Sequence, residues 1–218
     1  DLTAVTRLFS ANLVTMEAVE AKQSWPVRMG LKLAHSLNRN THKGSRKNIA
    51  AHYDLGNDFF QLFLDPTMMY SAAVFDTPAA TLEEASLAKL DEICRQLELT
   101  PEDHLVEIGT GWGGMAIHAA SHYGCRVTTP TISREQYEYA RQRVAALGLS
   151  ERITVLCEDY RNLNGQFDKL VSIEMIEAVG HHFYSNYFAR CSALLKPTGK
   201  MVIQAITISD QRYRQARD

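Results

Sequence analysis

Directly behind the apolar segment HLVEI (104–108), the chain reads Glu107-Ile-Gly109-Thr-Gly111-Trp-Gly113-Gly114. Glycines at the carboxyl end of a strand let the backbone turn sharply and let a ligand approach it closely. Gly109, Gly111 and Gly114 satisfy the spacing of a dinucleotide-binding turn, a pattern that is weak on its own. A nicotinamide site also calls for an acid about 20 residues further on, to bond the ribose. That stretch is Thr128-Thr129-Pro130-Thr131, with no carboxylate. The acids lie elsewhere. Glu107 stands two residues before the first glycine, and Asp159 follows a third apolar segment, ITVLC (153–157).

Glu107, Gly109 and Gly111 form an E-x-G-x-G turn, the first motif of S-adenosylmethionine (SAM) methyltransferases. SAM has no pyrophosphate, and its methionyl tail and sulfonium must fit beside the glycines. A carboxylate at Glu107 favours that positive charge or orders the loop. Asp159 is placed to accept a hydrogen bond from an adenine amino group. Each residue alone has a structural reading, but together they favour SAM over a nicotinamide cofactor.

The elements that must hold these residues are legible. Thr81-Leu-Glu-Glu84 is a capping box that opens a helix to about Leu97. Strands are predicted at 104–108, 125–129, 153–157 and 167–174, with a fifth from Lys200 into AITI. Helices are predicted at 115–120, from the capping box Ser133-x-x-Gln136 to about Leu147, and over 184–195, stopped by Lys-Pro-Thr-Gly. The alternation predicts an α/β fold, a Rossmann-like parallel sheet with helices on both faces. Residues 1–80 are predicted as a helical cap, and 81–218 as the SAM-binding domain. Leu2, Val5, Phe9, Leu13 and Met16 recur at helical spacing. Residues 51–75 are rich in aromatics but interrupted by Asp54, Asn57, Asp58 and Asp65, which predicts short helices and turns.

Composition excludes several classes. The 218 residues are 45% hydrophobic and 22% charged, ordinary for a globular protein, so disorder, collagen and coiled coil are excluded. A net charge of −2 gives no pull toward nucleic acid. Cys94, Cys125, Cys157 and Cys191 lack metal-ligand spacing, and a reducing cytoplasm suits them. From Ala21 to Tyr53 there is no acid, while Lys22, Arg28, Lys32, Arg39, Lys43, Arg46 and Lys47 are present. This is either a solvated basic face or a contact with anionic headgroups at the inner face of a membrane.

Five segments carry a resemblance over residues 48–213. They are AHYDLGNDFFQLFLDPTMMYS (51–71), VEIGTGWGG (106–114), TISREQ (131–136), SIEMIEAVGH (172–181) and AITISD (205–210). They resemble cyclopropane-fatty-acyl-phospholipid synthases and the related mycolic acid cyclopropane synthases. The resemblance implies SAM-dependent transfer of a methyl group to the double bond of an unsaturated phospholipid acyl chain, then proton loss and ring closure. By position, Tyr70 and Ser71 resemble contacts to the SAM amino-acid end. Thr131 and Gln136 match ribose and adenosine contacts, and Tyr160 an aromatic beside adenine. Tyr53 matches an active-site tyrosine, Glu177 the glutamate that holds a bicarbonate base, and Ile206 a backbone ligand of that ion.

Two positions depart from the family. Ala72 stands where well-known members have a cysteine, and Gln204 where they have a histidine, so two side-chain ligands of the bicarbonate are changed. The chain also ends after the fifth strand, where such sheets add two more strands and the family supplies a late tyrosine; a missing C-terminal part is expected. A methyl- or methylene-branched product, a non-catalytic SAM- or lipid-binding domain and, least favoured, an NAD-linked oxidoreductase stay as alternatives. A homodimer is left open.

Overall fold

The computed structural model describes residues 1–12 and 56–210. The chain divides into two units, Asp1–Gly44 and Ser45–Asp218. Within the first, α1 (Leu2–Ala11) begins at Asp1, whose carboxylate accepts from Thr3 N at 2.8 Å. Leu13, Met16, the basic stretch and Tyr53 lie outside the described residues.

In the second unit the elements run α2 (Asn57–Gln61), α3 (Leu82–Leu97), β1 (His104–Ile108), α4 (Gly114–His118), β2 (Arg126–Pro130), α5 (Arg134–Ala146), β3 (Ile153–Leu156), β4 (Phe167–Ile173), α6 (Tyr184–Leu194) and β5 (Leu195–Gln204). The expected alternation is present. α3 starts at the full capping box: Thr81 Oγ1 accepts from Glu84 N, and Glu84 Oε2 accepts from Thr81 N. α5 uses half of its own box. Ser133 accepts from Gln136 N, but the Gln136 side chain turns to Thr131.

All strand pairs are parallel, in the order β3-β2-β1-β4-β5. Leu105 and Val171 face a core made with Leu90, Leu97, Met115 and Val144, from α3, α4 and α5. Val106, Ile108 and Leu170 face the other way, onto Tyr187, Cys191 and Leu194 of α6. The near-continuous apolar strands follow from burial on both faces. Chain order reverses beside β1, so the crevice between the carboxyl ends of β1 and β4 is the topological switch point.

Segment 56–80, assigned to the cap from sequence, falls in the same unit as the sheet. Phe60 packs at 4.7 Å on Trp112 of the glycine turn, and Trp112 Nε1 donates to Asn57 Oδ1 at 2.6 Å. Arg143 of α5 clamps the same region, donating to the backbone carbonyls of Pro66, Thr67 and Trp112.

β5 differs from expectation. The helix does stop before Lys-Pro-Thr-Gly, at Leu194, but the strand begins at Leu195 rather than Lys200, because Leu195 already pairs with Phe167 of β4. The strand ends at Gln204, so Ile206 lies beyond it rather than on it.

Gly114 is the tightest point between segment 67–69 and the sheet. A Cβ there would sit 2.7 Å from both Met69 Sδ and the Thr67 carbonyl oxygen. Gly114→Ala should lower stability by about 1–3 kcal/mol, the usual cost of overpacking. Urea unfolding would measure it; a midpoint unchanged from wild type would contradict this packing.

Candidate functional site

The glycine turn leaves β1 at the switch point. Gly109 and Gly111 have φ of +96° and +51°, a region glycine enters without the strain a Cβ brings. Nothing lies within 4 Å of a Cβ built on Gly111, so this face of the turn is open to a ligand. Thr110 N donates to the Pro130 carbonyl, and Thr129 Oγ1 donates to Thr110 Oγ1 at 2.7 Å, tying the turn to the end of β2. Gly113 (φ +88°) leads into α4.

Glu107 lies beneath this turn and is 3% exposed. Burial pushes its carboxyl pKa up to about 8, partly offset by the Thr129 hydroxyl. Its Oε2 has no hydrogen-bond partner among the described residues. An orphaned buried carboxylate oxygen beside an open turn suits a ligand that carries positive charge.

At the carboxyl end of β2, Thr131 and Gln136 are both buried, and Thr131 Oγ1 donates to Gln136 Oε1 at 3.0 Å. Thr131 N donates to the Leu156 carbonyl, which aligns the ends of β2 and β3. Asp159 follows β3 and is 4% exposed. Its Oδ1 accepts from Arg161 N and Nε, and its Oδ2 from Arg161 Nη2 at 2.6 Å. The carboxylate expected to face adenine is therefore already engaged by Arg161. Tyr160 is half-buried, edge-on to Tyr187.

Tyr70 is 47% exposed and meets Phe60 edge-to-face at 5.4 Å. Ser71 Oγ accepts from Lys89 Nζ at 2.5 Å. Lys89 is buried on α3, and desolvation lowers its pKa to about 8, against the attraction of Glu174 and Asp65.

The second half of the site sits at the ends of β4 and β5. Glu177 Oε1 accepts from Ile206 N at 2.5 Å, which brings together two residues expected to share a centre. Glu177 is exposed, on a short 3-10 turn beyond β4. Gln204, expected beside Glu177, donates instead to Glu174 Oε1 at 2.8 Å and to the Ala72 carbonyl at 3.0 Å. Sequence reading missed Glu174. Its position at a strand end was visible, but its backbone at φ +48° was not. Arg143 and Lys89 were missed too, because long-range contacts give no local signal. A cavity of about 400 Å³ lined by Phe188, Leu195, Pro197 and Met201 lies at the opposite end of β5 from these residues.

A family model described as "Mycolic acid cyclopropane synthetase" matches residues 40–218. The chain belongs to this family. It is 45% identical over 180 residues to the tuberculostearic acid methyltransferase UfaA1 of Mycobacterium tuberculosis, covering 79% of this chain and 42% of that protein. It is 46% identical over 155 residues to the cyclopropane-fatty-acyl-phospholipid synthase of Escherichia coli, covering 71% and 39%. The chain thus spans about two fifths of the length of these relatives. Among solved structures, the cyclopropane synthase MmaA2 of M. tuberculosis aligns with a TM-score of 0.74 at 35% identity, over 78% of this chain and 60% of that one. The mycolic acid cyclopropane synthase CmaA1, complexed with SAH and CTAB, aligns at 0.70 and 37% identity, over 72% and 55%. Its parallel sheet with helices on both faces is the expected α/β methyltransferase fold.

A raised carboxyl pKa gives stability that is complete below the unfolded value and lost as pH rises through the folded one. Glu107 should therefore weaken the protein progressively between pH 4.5 and about 8. The stability gap between Glu107→Gln and wild type should move in the variant's favour across that window and level off above it. Denaturant melts at stepped pH would read this; parallel curves would contradict a buried, protonated Glu107.

Proposed function

We propose that this protein uses SAM to methylate the double bond of an unsaturated acyl chain in membrane phospholipid, with a cyclopropane as product. The observation that carries the reading is the open glycine turn above the orphaned Glu107 carboxylate, within a chain of this family. When bound, SAM supplies an electrophilic methyl group. Glu107, with Gly109, Gly111 and Gly113, forms a cradle for its cationic end. Thr131 and Gln136 offer buried polar groups to the ribose and adenosine, and Tyr160 offers a ring face to adenine. Asp159 then orders this corner by fixing Arg161 (2.6 Å) rather than by holding adenine alone. Tyr70 and Ser71 border the methionyl end.

The acyl chain needs an apolar path. Phe59, Leu62, Phe63, Val74 and Phe75, from the segments that precede and follow Tyr70, are exposed and would line one. Their ring faces favour a positive charge on the chain. Glu177 holds the Ile206 backbone, and Tyr53 is proposed for the same centre. No helix among the described residues is long and apolar enough to cross a membrane. Contact with an anionic bilayer at its cytoplasmic face is accordingly assigned to the basic stretch from Lys22 to Lys47.

One observation favours a second product. Ala72 has no thiol and Gln204 no imidazole with which to hold a bicarbonate, and a 45%-identical relative is named as a tuberculostearic acid methyltransferase. A methyl- or methylene-branched chain is that alternative.

Incubating the full-length protein with methyl-labelled SAM and unsaturated phospholipid vesicles should put label into lipid, and mass analysis should separate the two products. Label absent from lipid, with NADH binding in place of SAM, would refute the proposal. Gly111→Val should abolish SAM binding in calorimetry, by filling the open face. Charge reversal at Lys43, Arg46 and Lys47 should weaken vesicle sedimentation at low salt, at about 1 kcal/mol per basic residue, and leave it little changed at high salt.

A further inference from the structure

The geometry points to Glu174 as a proton acceptor built into the reaction centre, which frees this protein from needing a dissolved anion as base; the inference rests on the proposed alkene methylation. Glu174 directly follows β4, and its backbone takes φ +48°, one of three non-glycine residues with positive φ among those described. Strain of this kind persists only where the surroundings enforce it, and it collects at functional sites. Here Glu174 N donates to the Gln204 carbonyl at 2.8 Å, which turns the side chain away from the strand path and toward segment 70–72.

The carboxylate is held at one oxygen. Oε1 accepts from Ala72 N at 2.8 Å and from Gln204 Nε2 at 2.8 Å. Behind it, the buried Lys89 is attracted by the Glu174 charge and is anchored on Ser71. Oε2 takes no hydrogen bond among the described residues. One oxygen fixed and the other bare is what a positioned base requires. The location agrees. Met175, the next residue, lies against Gly109, 3.3 Å from where a Cβ would stand. Glu174 therefore leaves β4 at the switch point, with its carboxylate on Ala72 and the residue after it against the glycine turn. It also bridges Ala72 and Gln204, the two positions at which the chain departs from well-known family members.

The step balances without a further reactant. Once the alkene has gained a methyl group, one neighbouring chain carbon carries a positive charge. A C–H bond of the new methyl breaks, and its proton forms an O–H bond with Glu174 Oε2. The electron pair of that bond closes a three-membered ring; if a hydride first shifts from the methyl-bearing carbon to the cationic one, the same pair makes a carbon–carbon double bond to the new carbon instead. Glu174 is left as a neutral acid and returns its proton to water.

The test uses the full-length protein with SAM and unsaturated phospholipid vesicles, in buffer purged of carbon dioxide. Wild type should keep its rate there, and bicarbonate should add nothing. Glu174→Gln keeps the shape and an acceptor for Ala72 and Gln204, so SAM affinity by calorimetry should hold within about threefold. Its product formation should fall about 100-fold or more, the contribution expected of a general base. Glu174→Gly suits the positive φ, so it should fold, and it should leave a space for an anion. Added formate or bicarbonate should restore product with saturation, and ¹³C-formate should give a bound NMR signal with Glu174→Gly and none with wild type. Full activity of Glu174→Gln, a bicarbonate requirement in wild type, or no formate binding to Glu174→Gly would overturn the inference. A wild type that methylates no lipid would instead refute the proposed function, and the formate signal would still decide whether Glu174 fills an anion site.

Discussion

A carboxylate buried beneath an open backbone turn is the constraint on which this site depends. Glu107 loses hydration at the end of a fully buried strand, and one of its oxygens finds no donor among the described residues. Such a group is costly unless it is protonated or a cation arrives. Its neighbours compensate it only in part, through the Thr129 hydroxyl. Thr129 and Thr110 bond each other, Trp112 is sealed by Phe60 and Asn57, and Arg143 locks the turn from the outside. The cost is thus left to be offset by a positively charged ligand, and the glycines keep the approach to it clear.

The second half of the site is built by a different means. β4 and β5 run side by side and end together at Ile173 and Gln204, so the residues just beyond them meet. Glu174 and Glu177 part there. The first turns back to Ala72 and Gln204, and the second reaches the Ile206 backbone. Two carboxylates three residues apart therefore serve different neighbours, which spacing alone does not reveal.

Much of the fold was legible because its signals are local. HLVEI gave β1 at its observed bounds, and Thr81 with Glu84 gave both bonds of the capping box. The glycine turn was legible for the same reason. Reading failed where distant contacts decide. β5 starts at Leu195 because Phe167, 28 residues earlier, pairs with it. The near neighbour Arg161 also engages Asp159, a local pair that the reading of its place after β3 did not include. Gln204 pairs with Glu174 rather than Glu177, and the left-handed backbone of Glu174 has no signature in residue type.

Glu107 is proposed to receive the cationic end of SAM. A cation beside Glu107 lowers its pKa from about 8, so binding at neutral pH must expel a proton. Titration calorimetry with SAM at pH 7.5, in buffers of different ionisation enthalpy, measures that proton directly. Wild type should release a substantial fraction of one proton, and Glu107→Gln none. Binding with no proton release, or with equal release by both proteins, would contradict it.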